Sequence, residues 1–284
     1  MRRVFWWSFS LLFLSGCSRL ASIPYDPPQT PAGWLTMQPF MLIKIGGSEI
    51  HWMQPSSTLF VYLLGLTAVG SGLYFWRQRD KQQTRRWWSI ALILWGLGAL
   101  AAGTSYQAFS YEIKCAGQSF CSWTSWWEIA YLILSAGSVD AMLAAVAFSS
   151  SAGKWRKALM VYALLNITLY AGVVLIGALA LIPFLISFEL LLIAAAPNIL
   201  LCLALNIGRY RQTGGKLELA LGAAWIWLGL VLGGYFLYLA SGLTHQLWAR
   251  GIWFSENDVL HLGLISWMIY LVVYVARRAE DAPA

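Results

Sequence analysis

The sequence predicts an all-α membrane protein: seven transmembrane helices, the N-terminus outside and the C-terminus cytoplasmic, with a short extracytoplasmic β-hairpin. Three observations predict it. Of the 284 residues, 59% are apolar and 11% charged, and the mean hydropathy of +0.63 is too high for a water-soluble domain. The apolar residues gather into seven runs long enough to cross a bilayer core of about 30 Å. Fifteen of the 19 Lys and Arg fall in the termini and loops of one side, the bias of cytoplasmic loops. The net charge of +7 therefore reports topology. With no nucleic-acid-binding motif in the chain, nucleic acid is excluded as a partner and membrane lipid is the expected one.

Residues 1–17 carry Arg2 and Arg3, an apolar core and then Leu14-Ser15-Gly16-Cys17, which resembles the lipobox of a bacterial lipoprotein signal peptide. Cleavage before Cys17 and lipidation of its thiol follow from the resemblance. The alternative is an uncleaved signal anchor. Both place residue 20 outside and the chain, multi-pass, in the bacterial cytoplasmic (inner) membrane.

Residues 18–55 form an extracytoplasmic segment. Pro24, Pro27, Pro28 and Pro31 make its first part an extended tether. Phe40–Ile45 and Ser48–Met53 are β-prone runs flanking Gly46-Gly47, a pair that supplies positive φ for a tight hairpin turn. His51 lies on the hairpin. A single histidine without a spaced partner reads as surface or interface packing ahead of metal ligation.

The transmembrane domain, 56–276, divides into spans at 56–76, 86–109, 126–149, 157–182, 183–207, 217–241 and 258–276, followed by a cytoplasmic tail, 277–284. The break at Ile182-Pro183 is short enough to predict a tight helical hairpin. Pro197-Asn198 interrupts the fifth span and predicts a kink. Of the 17 tryptophans, Trp87-Trp88, Trp123, Trp126-Trp127, Trp248 and Trp253 fall at predicted interfaces as anchors. In the oxidising outer compartment Cys115 and Cys121 are spaced to close a small disulfide ring, while Cys202 reads as a packing residue.

Residues 103–128 join the second and third spans and gather polar groups at one end of the bundle. Thr104, Ser105 and Gln107 end the second span, Glu128 begins the third with Ser135 two turns on, and Asn257, Asp258 and His261 begin the seventh. Asn257 and His261 are four residues apart and share a helical face. Glu189 is placed to reach this layer from the side. Ionisable groups in spans mark functional sites often enough to nominate the cluster. The competing reading is a hydrogen-bonded cluster that fixes helix packing, with Glu128 and Asp258 favoured at helix N-termini by the dipole. Asp140 and Asn166 lie deeper, and neither Asp140 nor Glu189 has a basic partner within the spans.

Seven helices, an outside N-terminus, Ser105, Glu128 and His261 together resemble the alkaline ceramidase and PAQR receptor superfamily over about 86–276. That resemblance implies a membrane-embedded hydrolase of lipid amides or esters that holds zinc with three histidines, assisted by Ser and Asp. Residue by residue it maps Ser105 to the superfamily's Ser, Glu128 to its acidic residue and His261 to the second histidine of its seventh helix. A hydrolase built on this would use Ser105 and His261, the latter as metal ligand or general base, with Glu128 or Asp258 polarising water. The superfamily's other histidine positions hold Phe109 and Asn257 here. The chain also resembles an uncharacterised bacterial membrane-protein family, in its GTSYQAF and NDVLHLGL stretches. Two functions remain open, a ceramidase-like hydrolase and a non-enzymatic lipid-binding, sensor or scaffold bundle. A proton-coupled transporter using Asp140 and Glu189 ranks third.

Overall fold

The computed structural model describes residues 19–282. The signal-peptide reading of 1–17, including lipidation at Cys17, lies outside the described residues. A short helix α1 (Pro31–Met37) precedes the hairpin β1 (Phe40–Ile45) and β2 (Ser48–Met53). Then come α2 (Pro55–Arg77), α3 (Gln83–Ala102, extended by a π-helical turn, Gly103–Ala108) and α4 (Ser110–Lys114). The remaining helices are α5 (Trp126–Ser150), α6 (Gly153–Ala180), α7 (Phe188–Thr213), α8 (Lys216–Ser241), α9 (Leu243–Ala249) and α10 (Glu256–Tyr270, extended by a π-helical turn, Leu271–Val275). Seven of them, α2, α3, α5, α6, α7, α8 and α10, are long and apolar enough to cross a membrane.

The hairpin forms over the predicted residues, and Gly46 and Gly47 take φ of 58° and 87° as its turn requires. The preceding segment is not a free tether. Pro31 sits in the first turn of α1, where its missing N–H costs nothing, and the Thr30 hydroxyl accepts from Gly33 N at 3.1 Å as N-cap. Upstream, Trp123 N donates to Ile23 O and Cys121 N to Gln29 O, each at 2.8 Å, so the chain lies alongside the 115–121 ring. Leu20 is buried there.

In the bundle, α2, α3, α5, α7, α8 and α10 pack in sequence around a ring, while α6 lies outside against α5. Apolar side chains on α6 face outward, as suits a lipid-facing helix. Small residues bring α2 and α3 together. A Cβ on Gly96 would stand 2.6 Å from Gly65 O and 2.9 Å from Val69 N, backbone atoms that cannot move aside.

Several sequence expectations change. Pro183–Ile186 forms a 3₁₀ turn instead of opening the fifth span, which begins at Phe188 with Ser187 Oγ accepting from Leu190 N at 3.2 Å. Pro197 lies inside α7 and does not interrupt it, since the helix runs unbroken from Phe188 to Thr213. Trp88 is fully buried and stacks on Trp225 at 6.1 Å, so it is a core residue and not an interfacial anchor. Arg85 is buried too, donating to Ala279 O, Gln78 O and Arg277 O. The 277–282 tail is docked: Asp281 accepts from Gln83 N and Thr84 N at 3.0 and 2.7 Å, capping the N-terminus of α3.

Gly96→Leu is expected to lower stability by about 1–3 kcal/mol through overpacking. Gly222→Leu, whose added side chain begins in open space, should leave stability unchanged. Thermal unfolding in detergent measures both.

Candidate functional site

The site is built from the end of α3. Gly103 packs against Val61 so closely that a Cβ would come within 2.3 Å of the valine methyl. The helix there widens to i→i+5 bonding, with Phe109 N donating to Thr104 O at 3.0 Å. Ser105 and Gln107, two residues apart on this turn, point to nearly opposite sides of the helix, as any helical backbone places them.

Ser105 turns toward α5. Its hydroxyl donates to Glu128 Oε1 at 2.7 Å and lies 2.7 Å from Ser125 Oγ. Glu128 Oε1 also contacts the Lys114 ammonium, and both side chains are almost completely buried. Lys114 fills its remaining donor capacity with Tyr25 OH at 3.2 Å and Trp123 O at 3.3 Å, and lies 4.8 Å from the Tyr106 ring centroid. Burial alone pulls the Lys114 ammonium down, but the Glu128 carboxylate and the Tyr25 oxygen outweigh it and hold its pKa above the ordinary 10.5. Burial likewise pushes the Tyr25 hydroxyl up, so it stays protonated.

The adjacent Cys115–Cys121 disulfide closes the loop after Lys114. Glu112, on the same short helix, accepts from both His51 N and His51 Nδ1 at 3.0 Å, fastening the hairpin to α4. His51 also packs against the Tyr111 ring, tilted, with the centroids 4.3 Å apart, an interface role.

Asp258 serves its own helix. With Ser255 it forms a capping box at the N-terminus of α10, accepting from Ser255 N at 2.7 Å and Ser56 Oγ at 3.0 Å. Thr104 bonds Tyr62 OH at 3.0 Å and Leu100 O at 2.8 Å. Glu189 is exposed in the first turn of α7 and does not join the layer. Deeper, Asp140 accepts from Asn198 Nδ2 at 2.8 Å and Asn166 Nδ2 at 3.1 Å, tying α5, α6 and α7 by hydrogen bonds from carboxamides, with no basic partner among the described residues.

The six ring helices enclose a cavity of about 570 Å³, to which α6 contributes nothing. Its polar residues lie toward the hairpin: Gln54, Gln107, Lys114, Ser135, Asn257 and His261. Its other end is apolar, with Val139, Met142, Ile199, Trp225, Leu228 and Leu264. Asn257 and His261 both face it, as their spacing predicts. Ser105, Glu128, Asp258 and Thr104 are not among its lining residues. The predicted cluster therefore divides in two, Ser105 with Glu128 behind the wall and Gln107, Asn257 and His261 in it. Phe188, Leu192 and Phe236 line the cavity and each is 40–48% exposed, so the wall between α7 and α8 is thin at the hairpin end.

Zinc does not fit these residues. Among the described residues no three His, Cys, Asp or Glu converge, and the polar neighbours of His261 in the cavity wall are the carboxamides Gln107 and Asn257, poor zinc donors.

A family model matches residues 56–280. The chain belongs to DUF6962, a family of unknown function. No curated protein and no solved structure matches the chain. The DUF6962 match starts at α2 and leaves out Tyr25, Trp34 and Gln38, which close the cavity at the hairpin end. Lys114 was hidden from sequence reasoning because a lone lysine beside a cysteine reads as a loop charge. The signal that points to it is its position between Glu112 and Cys115, facing a carboxylate that opens the next apolar run.

Glu128→Ala leaves a buried ammonium unpaired and should cost about 3–5 kcal/mol, whereas the paired replacement Lys114→Met with Glu128→Leu should cost much less; unfolding midpoints compare them. Because the folded pKa of Lys114 is raised, its contribution is fully present below the free-lysine value of 10.5 and is lost only as pH rises through the folded value. Between pH 6 and 9 titration of Lys114 should therefore make no pH-dependent contribution to thermal stability.

Proposed function

We propose that this protein binds a membrane amphiphile in the ring cavity, acting as a lipid-binding, sensor or scaffold bundle of a bacterial cytoplasmic membrane. The observation that carries the reading is the cavity's polarity gradient, polar at the hairpin end and apolar at the other, beside a thin wall of Phe188, Leu192 and Phe236. A headgroup meets polar groups while the chain leaves the bilayer without crossing water, the arrangement expected of a largely preformed small-molecule site of about 300–1,000 Å³. The N-terminal segment and hairpin are assigned to the outside and the tail to the cytoplasm, supported by the 15 of 19 basic residues on the tail side. The Cys115–Cys121 disulfide supports the same orientation.

A second reading, hydrolysis of a lipid amide or ester as in the ceramidase-like superfamily, rests on His261. It is the histidine in the cavity wall, and its Nδ1 has no protein partner. A general base normally has an orienting partner, and Glu128 and Asp258 are engaged elsewhere. Binding is therefore preferred.

Purified protein should carry a co-extracted lipid detectable by mass spectrometry. Leu228→Trp, which fills the apolar end, should abolish it while preserving the unfolding midpoint within a few degrees. A native chain free of lipid after gentle extraction would count against binding. Fatty acid released by the native chain but not by His261→Ala would replace binding with hydrolysis.

A further inference from the structure

We infer that the cavity selects a single-chain amphiphile with an uncharged, hydroxyl-bearing headgroup, an inference that rests on the lipid-binding reading and names its ligand class. Three buried polar atoms on lining residues lack any protein partner at the hairpin end: Gln54 Oε1, Gln107 Oε1 and His261 Nδ1. Trp34 Nε1, on a lining residue of α1, is equally unpaired. A buried polar atom without a partner costs about 1–3 kcal/mol, so four of them on residues that line the hairpin end of one cavity, with Trp225 Nε1 a fifth on the lining further in, indicate that something else supplies the partners. The carboxamide oxygens accept only, the indole donates only, and the imidazole nitrogen does either according to tautomer. Hydroxyl groups satisfy all of them, since each both donates and accepts.

Charge narrows the class further. Among the described residues no Asp or Glu lines the cavity, so a cationic headgroup finds no counter-ion. The cation in the lining, Lys114, is neutralised by Glu128 with its donors filled by Tyr25 and Trp123, so an anionic headgroup gains little. The volume of about 570 Å³ is that of one small-molecule-sized guest, which matches one chain with a compact headgroup. The rest of the guest meets Val139, Leu228 and Leu264, where apolar burial supplies affinity without direction.

The test uses the full chain in detergent, stripped of lipid. It is incubated with an equimolar mixture of a monoacylglycerol, the fatty acid and the alkyltrimethylammonium of equal chain length, and bound species are counted by native mass spectrometry. The monoacylglycerol should dominate at one per chain. Gln107→Leu and, independently, His261→Leu should each weaken it about tenfold, while the unsubstituted chain tests headgroup preference without any variant. Equal or preferred retention of the fatty acid or the cation, still blocked by Leu228→Trp, would overturn the headgroup inference and leave lipid binding standing. Retention of no probe would remove both.

Discussion

Lys114 and Glu128 leave water together, and the hairpin end of the molecule depends on their doing so. Each charge alone would cost several kcal/mol to bury. Paired, with the lysine's other donors spent on Tyr25 and Trp123 and the carboxylate also held by Ser105, they bind four chain segments at one point. Those segments are the pre-α1 strand, the π-turn of α3, α4 and the start of α5. The Cys115–Cys121 bridge fixes the lysine's loop covalently, and His51 with Glu112 brings in the hairpin. Such a pair contributes specificity of placement more than net stability. Here it holds Tyr25, one of the residues that line the cavity at the hairpin end.

That cavity follows from how the ring closes. Gly65 and Gly96 let α2 and α3 approach at backbone distance, drawing one side tight. Opposite, between α7 and α8, the cavity is lined by the partly exposed Phe188, Leu192 and Phe236, where the wall is thin. Six helices enclose the space and the seventh, α6, supports α5 from outside, where Asp140 bonds Asn166 of α6 and Asn198 of α7. The polar residues of the middle layer thus hold helices together, and those of the hairpin end divide between holding and facing the cavity.

Much of the fold was legible in the sequence, and less of the site. The spans and the Gly46-Gly47 turn follow from local signals: run length, β-propensity and the positive φ that glycine supplies. Local signals misled where a partner distant in sequence intervened. Pro31 in a Pro-rich stretch became the start of a helix because Thr30 caps it. Trp88 and Arg85 became core residues because Trp225 and the tail carbonyls reach them.

By itself the sequence determined which segments are apolar enough to span, which faces residues four apart share, and which cysteines can close a ring, because each is a property of neighbours along the chain. Only tertiary structure decided that Ser105 and Glu128 belong to a buried ion pair behind the wall while Gln107, two residues on, faces the cavity with Asn257 and His261. The reason is geometric. Residues two apart on a helix point to nearly opposite sides, but which side meets a charge and which a cavity depends on the helices packed there, and a buried charge takes its meaning from the partner that packing brings to it.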